Sequence, residues 1–172
     1  MQEDLKKYIR DVKDFPKEGI VFKDITTLLK EPKAIKATID QLYEKAKDLK
    51  IDKVVAIESR GFMFGVMLAE KLGAGFVPIR KPKKLPADVF RQEYQLEYGS
   101  DIIEMHKDAI TAGENILLHD DVLATGGTAK AACQLIEQAK GNIVQVSFLI
   151  ELGFLEGKKM IEKYPIEALM RY

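Results

Sequence analysis

Two adjacent acids followed by a glycine-rich turn are the residues of this sequence best placed to do chemistry. The segment Ile116-Leu117-Leu118-His119-Asp120-Asp121-Val122-Leu123-Ala124-Thr125-Gly126-Gly127-Thr128 reads as an apolar strand, two acids, a small-residue turn and the start of a helix. Gly126 and Gly127 let the backbone approach a ligand with no β-carbon in the way. Thr125 and Thr128 bring hydroxyl donors to a helix N-terminus, where unpaired N–H groups and the helix dipole favour a phosphate. Asp120 and Asp121 can accept hydrogen bonds from sugar hydroxyls, and burying two carboxylates without partners would be costly. Together these residues predict a phosphosugar site. Other phosphate loops fail the comparison: nothing matches G-x-x-x-x-G-K-[ST], and Gly73-Ala74-Gly75 lacks the third glycine of a dinucleotide fingerprint.

The elements that must carry this site alternate in type. Val54 to Ile57, Phe76 to Ile79, Ile116 to Leu118 and Ile143 to Ile150 are short apolar runs, as strands buried on both faces should be. Between them lie helical patterns. Phe62 to Leu72 is apolar on nearly all sides and is closed by Gly73, whereas Ala129, Ala132, Leu135, Ile136 and Ala139 give one apolar face ahead of Gly141. Upstream, Ile35, Ile39, Leu42, Ala46 and Leu49 form an amphipathic stripe, and residues Asp4 to Val12 read as a short helix before the break at Phe15-Pro16-Lys17-Glu18-Gly19. Alternating strands and helices predict an α/β fold with a mainly parallel, twisted sheet flanked by helices. Residues Arg80 to Glu104 depart from this pattern. They are rich in charge and tyrosine and read as a long excursion, a loop or hairpin leaving a strand end, where ligand sites of such sheets lie.

Composition limits the rest. The 172 residues fit one domain, 1–172, and the 27 basic and 27 acidic residues balance to zero net charge. Bulk electrostatics give no push toward nucleic acid or an acidic membrane, so neither is expected as a partner. A single cysteine, Cys133, excludes an intrachain disulfide and cysteine-based zinc frameworks. With no secretory pattern and no apolar run of about 20 residues, a cytoplasmic location is expected.

Residues 116–128 resemble the signature that binds phosphoribosyl pyrophosphate (PRPP) in type I phosphoribosyltransferases. Three further segments resemble the adenine-specific branch of that family: Asp14-Phe15-Pro16 through Phe22-Lys23-Asp24-Ile25; Glu58-Ser59-Arg60-Gly61-Phe62; and Arg80-Lys81-Pro82 with Lys84-Leu85-Pro86, followed by Leu96-Glu97-Tyr98-Gly99. They follow the family's order from residue 14 to about 150. The resemblance implies the type I fold with a small N-terminal hood over the base (1–30) and a flexible catalytic loop (80–104). It implies a purine salvage activity converting adenine and PRPP to AMP and pyrophosphate, with Mg²⁺ as cofactor held through PRPP rather than by protein ligands. Family members are commonly homodimers, to which Phe62, Phe64 and Met67 would contribute either interface or core.

By the same resemblance, Ala124, Thr125, Gly126, Gly127 and Thr128 grip the 5-phosphate, and Asp120 and Asp121 hold the ribose hydroxyls. Glu58, Ser59 and Arg60 match the pyrophosphate turn, in which a non-proline cis peptide often occurs, and the rigid fork of the arginine suits an oxygen-rich anion. Lys81 and Lys84 match basic positions that approach pyrophosphate, or are simply solvated. Arg60, Glu97 and Tyr98 are the expected catalytic residues, with Glu97 near the imidazole edge of the purine; alternatively Glu97 and Tyr98 are hairpin surface. Val21, Phe22, Lys23, Val122 and Leu123 match the adenine-binding positions, although Val21 and Phe22 also fit plain core. Lys83 stands where the family usually has glycine, and His119 where it usually has an aliphatic residue. Two rivals stay open: a phosphoribosyltransferase for hypoxanthine, guanine or xanthine, and a non-catalytic PRPP-sensing regulator on the same fold.

Overall fold

A computed structural model describes residues 4–95 and 99–172. The chain packs as two compact units, residues 1–41 and 42–172.

In the first unit the expected helix at Asp4–Val12 is replaced by a single 3-10 turn, Leu5–Tyr8, and then strand β1, Arg10–Lys13. Pairing overrides local propensity here. β1 aligns antiparallel with β2, Val21–Asp24, so that Arg10 faces Asp24 and Asp11 faces Lys23. The Arg10 Nε donates to Asp24 Oδ2 at 3.0 Å, and Lys23 Nζ to Asp11 Oδ1 at 2.7 Å. The main-chain N–H of Thr26 and the Arg10 guanidinium pull the Asp24 carboxyl down to about 2. Phe15 and Phe22 meet edge to face across the hairpin. A short helix α1, Thr26–Leu29, leads into α2, Pro32–Ala46. Helix α2 carries the expected apolar stripe, with Ile39, Leu42 and Ala46 buried; Leu49 falls beyond its end and is exposed.

The second unit is built on a five-stranded parallel sheet. Its strands are β3 (Lys53–Ile57), β4 (Gly75–Ile79), β7 (Asn115–Leu123), β8 (Asn142–Glu151) and β9 (Ile166–Arg171), in the order β4-β3-β7-β8-β9. Four of these match apolar runs. The fifth, β9, was not foreseen: its residues are mostly half-buried, and the mixed Ile166-Glu167-Ala168-Leu169-Met170-Arg171 lacks the continuous apolar signal of an inner strand. Alternate residues of the sheet face a core containing Val55, Ile57, Val77, Ile79, Ile116, Leu118, Val146 and Phe148. Helix α4, Gly127–Gln138, closes that core with Ala132, Leu135 and Ile136.

Helix α3, Arg60–Leu72, is less buried than its composition suggests. Phe64, Gly65, Leu68 and Ala69 are inside, but Met63 and Val66 are exposed. Gly73 closes it in the left-handed conformation, as expected. At the end of α4 it is Lys140, with φ 60°, that turns the chain rather than Gly141. The excursion after β4 is an antiparallel hairpin of β5 (Val89–Gln95) and β6 (Ser100–His106). His106 is half-buried and accepts the Ala87 N–H at 3.3 Å.

Candidate functional site

The upper ends of β3 and β7 deliver the main polar groups of the site. Strand β7 runs on through both acids to Leu123, several residues past its apolar start, so Asp120 and Asp121 are held by sheet hydrogen bonds rather than by a loop. Val122 and Leu123 continue the strand, half-buried and buried respectively. Next to β7, β3 ends at Ile57 and passes through Glu58-Ser59 into α3. The Glu58–Ser59 peptide is cis. A cleft of about 370 Å³ opens here, lined by Ile57, Glu58, Ser59, Arg60, Lys81, Tyr94, Asp120, Asp121 and Thr128.

Arg60 Nε lies 2.7 Å from Asp121 Oδ2. The guanidinium is about one-third exposed, while the carboxylate is nearly buried. Burial raises the Asp121 carboxyl above the ordinary range, and the charge of Arg60 opposes that rise. Asp120 goes further: burial and the neighbouring Asp121 charge both raise its pKa well above the usual carboxylate value. Its Oδ1 accepts the Asp121 N–H at 2.9 Å. Gly61 makes this crowding possible, because a β-carbon there would sit 3.0 Å from Asp120 Oδ1 and 3.1 Å from the His119 carbonyl.

Gly126, with φ +85°, turns the chain from β7 into α4 and as N-cap supplies no side-chain hydrogen bond to that helix. The first N–H groups and the dipole of such a helix start attract an anion. Ala124, Thr125, Gly126, Gly127 and Thr128 form this turn: Thr125 is exposed, Thr128 reaches the cleft, and Gly126 is buried.

Glu58 plays a part that its place in the motif did not suggest. Its Oε2 accepts the Lys81 main-chain N–H at 2.9 Å and Arg80 Nε at 3.1 Å, which ties the end of β4 to the end of β3. Lys81 reaches the cleft, where its ammonium is held by Asp101 and lies 3.3 Å from the Tyr94 hydroxyl. Lys84 is exposed and does not line the cleft. Tyr94 was missed by the motif reading. The signal was present in period two along β5, since Gln92 and Tyr94 are half-buried between exposed Arg91, Glu93 and Gln95. Glu97 and Tyr98 lie outside the described residues. Val21, Phe22 and Lys23 lie on β2 of the first unit; Val21 is exposed and the other two are half-buried, so none is deep core.

His119 sits directly before the acids and is fully buried; its ring reaches the Ser147 main chain on β8, but neither nitrogen meets full hydrogen-bond geometry among the described residues. Burial pushes its pKa down to about 4, so it is neutral near pH 7. It is neither exposed to the cleft nor a member of its lining. Cys133 is also buried, and its thiol is pushed up to about 12, as suits an inert core residue.

A turn opening a helix, an acid pair on one strand and an arginine opposite them thus meet at the ends of two neighbouring strands. The phosphoribosyl transferase domain family matches residues 23–169, and the chain belongs to that family. An adenine phosphoribosyltransferase of Flavobacterium johnsoniae is 56% identical over 98% of this chain and 99% of its own length. Among solved structures, adenine phosphoribosyltransferase from Thermoanaerobacter pseudethanolicus is similar with a TM-score of 0.96 and 47% identity, each chain being covered completely. The Saccharomyces cerevisiae enzyme, solved with an imino-altritol bisphosphate and adenine, has a TM-score of 0.91 and 43% identity over 96% of both chains.

Proposed function

We propose that this chain transfers the phosphoribosyl group of PRPP to N9 of adenine, forming AMP and releasing pyrophosphate. The bond from the anomeric carbon to pyrophosphate oxygen breaks, a bond to N9 forms, and the N9 proton is lost. The observation that carries this reading is the placement of the acid pair and the amide turn on one continuous β7–α4 segment, facing Arg60. Positive charge then develops on a ribose held beside Asp120 and Asp121. Negative charge develops on a leaving group beside Arg60, Ser59 and Lys81, where fixed donors and cations are most effective. Ala124 to Thr128 take the 5-phosphate, and Glu58 serves by fixing Arg80 and Lys81.

Val21, Phe22 and Lys23 with Val122 and Leu123 are assigned to adenine on the sequence resemblance, as are Glu97 and Tyr98 to the chemistry. Among the described residues no group of three or more His, Cys, Asp or Glu is placed to cage a metal. Mg²⁺ would arrive on the oxygens of PRPP, as the resemblance implies, leaving Asp120 and Asp121 to the ribose hydroxyls. When bound, the ion supplies Lewis acidity to the departing pyrophosphate. No helix among the described residues is long and apolar enough to cross a membrane. A cytoplasmic location and pairing of two copies belong to the same reading; the exposed Met63 and Val66 on α3 support the pairing.

The test is a panel of adenine, hypoxanthine, guanine and xanthine, each with PRPP and Mg²⁺, read by nucleotide formation. Adenine alone is expected to give efficient turnover. Faster turnover of a 6-oxopurine would overturn the base assignment, and no product with any base would overturn the activity.

A further inference from the structure

The amide turn rests on a floor that its own motif does not contain. Gly157 opens the 3-10 turn Gly157–Ile161 and is buried. A β-carbon added at Gly157 would stand 2.1 Å from the Ala124 carbonyl oxygen, 2.8 Å from the Gly126 amide nitrogen and 2.8 Å from the Thr125 carbonyl carbon. Seen from the other side, a β-carbon at Gly126 would lie 2.3 Å from the Gly157 carbonyl oxygen and 3.0 Å from Met160 Cβ. Real β-carbons do not approach within 3.0 Å, and the obstructing atoms are almost all main chain, which cannot swing aside as a flexible side chain can. Two stretches of backbone, distant in sequence, therefore lie back to back through paired glycines. The Leu152 N–H donates to the Leu123 carbonyl at 2.9 Å and binds the two stretches just ahead of that contact.

We propose that Gly157 is a positioning residue for substrate binding: its bare backbone fixes the depth and tilt of residues 124–126, and so aims the amides that receive the phosphoryl group. The proposal rests on the phosphate-binding reading of that turn. It differs from a plain packing requirement, for which Gly141 provides the contrast. A β-carbon at Gly141 would be 2.8 Å from Ile136 Cγ2 and 3.0 Å from Ile116 Cγ1, which is also crowded but against core side chains. Crowding at Gly141 costs stability alone, whereas crowding at Gly157 displaces the carbonyl of Ala124 and the amide of Gly126.

Gly157→Ala and Gly141→Ala separate the two roles. Gly157→Ala is expected to raise the KM for PRPP at least tenfold and to weaken inhibition by AMP to a similar degree. The KM for adenine and inhibition by adenosine, which lacks the phosphate, stay within about twofold. Gly141→Ala is expected to lower the melting temperature and leave the ratio of AMP to adenosine inhibition unchanged. An unchanged ratio in Gly157→Ala overturns the proposal. If that variant does not fold, hydrogen exchange on the unsubstituted chain decides: AMP should protect residues 124–128 and 157–161 together, and adenine should protect neither. Protection confined to 124–128 refutes the role of Gly157. Absence of AMP binding by the unsubstituted chain refutes the phosphate-binding reading and this inference with it.

Discussion

Arg60 answers two demands, since it neutralises a nearly buried carboxylate and keeps about a third of its side chain open to the cleft. Removing it takes away a cation from the leaving-group side and leaves Asp121 buried without its partner, each a costly change. Arg60→Ala is therefore expected to lose on the order of 10²- to 10³-fold in kcat/KM, the usual range for removing a fixed donor in an active site. Lys84 is exposed, and Lys84→Ala should lose less than about tenfold; surface charges are screened and contribute little. Steady-state kinetics of the two variants checks the ranking, and equal losses contradict it. At this scale the sequence was informative about which residues meet, since Arg60, Asp120, Asp121 and Thr128 line one cleft. It was less so at Glu58, whose carboxylate faces Arg80 and Lys81 from a neighbouring strand. No spacing along the chain reports a partner that the sheet supplies.

Among the elements, the hairpin after β4 shows how one departure from a family pattern is accommodated. Lys83 has φ 66°, the left-handed region where glycine meets no penalty. Its N–H donates to Oε2 of the buried Glu104 at 3.1 Å, and Arg91 Nε lies 3.2 Å from the other oxygen of that carboxylate. Glu104 also pairs with Arg80 through the main chain in both directions, so β6 holds the start of the excursion on both sides of Lys83. The glycine that the resemblance implies at this place would take the same conformation without strain. Lys83→Gly is expected to stabilise the chain by roughly 0.5–1 kcal/mol, the relief of a left-handed side chain less the greater freedom of the unfolded glycine. Thermal unfolding measures this, and a lower melting temperature would show that Lys83 makes a compensating contact. The hairpin itself could be anticipated only loosely, because charge and tyrosine mask its period. The inner strands, with no polar face to disguise them, stood out clearly. Residues Asp4 to Val12 went wrong for the opposite reason: a weak helical pattern lost to the pairing of Arg10–Lys13 with Val21–Asp24.

Taken whole, the chain carries a pH liability inside the sheet, beneath a surface of balanced charge. His119 has its pKa depressed from 6.5 to about 4 by burial. The unfolded chain therefore takes up this proton before the folded one does. The associated stability is complete above about pH 6.5 and is lost progressively as pH falls toward 4, up to about 3 kcal/mol. Asp120 acts in the opposite sense, since a raised carboxyl favours folding at low pH and loses that advantage as pH climbs past its ordinary value. A difference curve isolates the histidine. His119→Val should abolish its contribution between pH 4 and 6.5, and should add about 1 kcal/mol at pH 7 by removing buried nitrogens poorly served by the Ser147 main chain. Parallel denaturant titrations at several pH values test both parts; an unaltered slope across that window would show that the imidazole does not titrate as described.

The order of strands also bears on how the molecule comes into being. β3 is an inner strand and pairs with the central β7, about sixty residues later in the chain. On a ribosome adding some 5–20 residues each second, Val54 to Ile57 would wait roughly 3–12 s with one side of the ribbon still open. Such an apolar, unpaired margin is the kind of surface that nascent chains must shield from one another. The architecture that places two carboxylates and an arginine at neighbouring strand ends thus exacts a delay during biosynthesis, and crowding of newly made chains, rather than weakness of the finished sheet, is where its yield is most exposed.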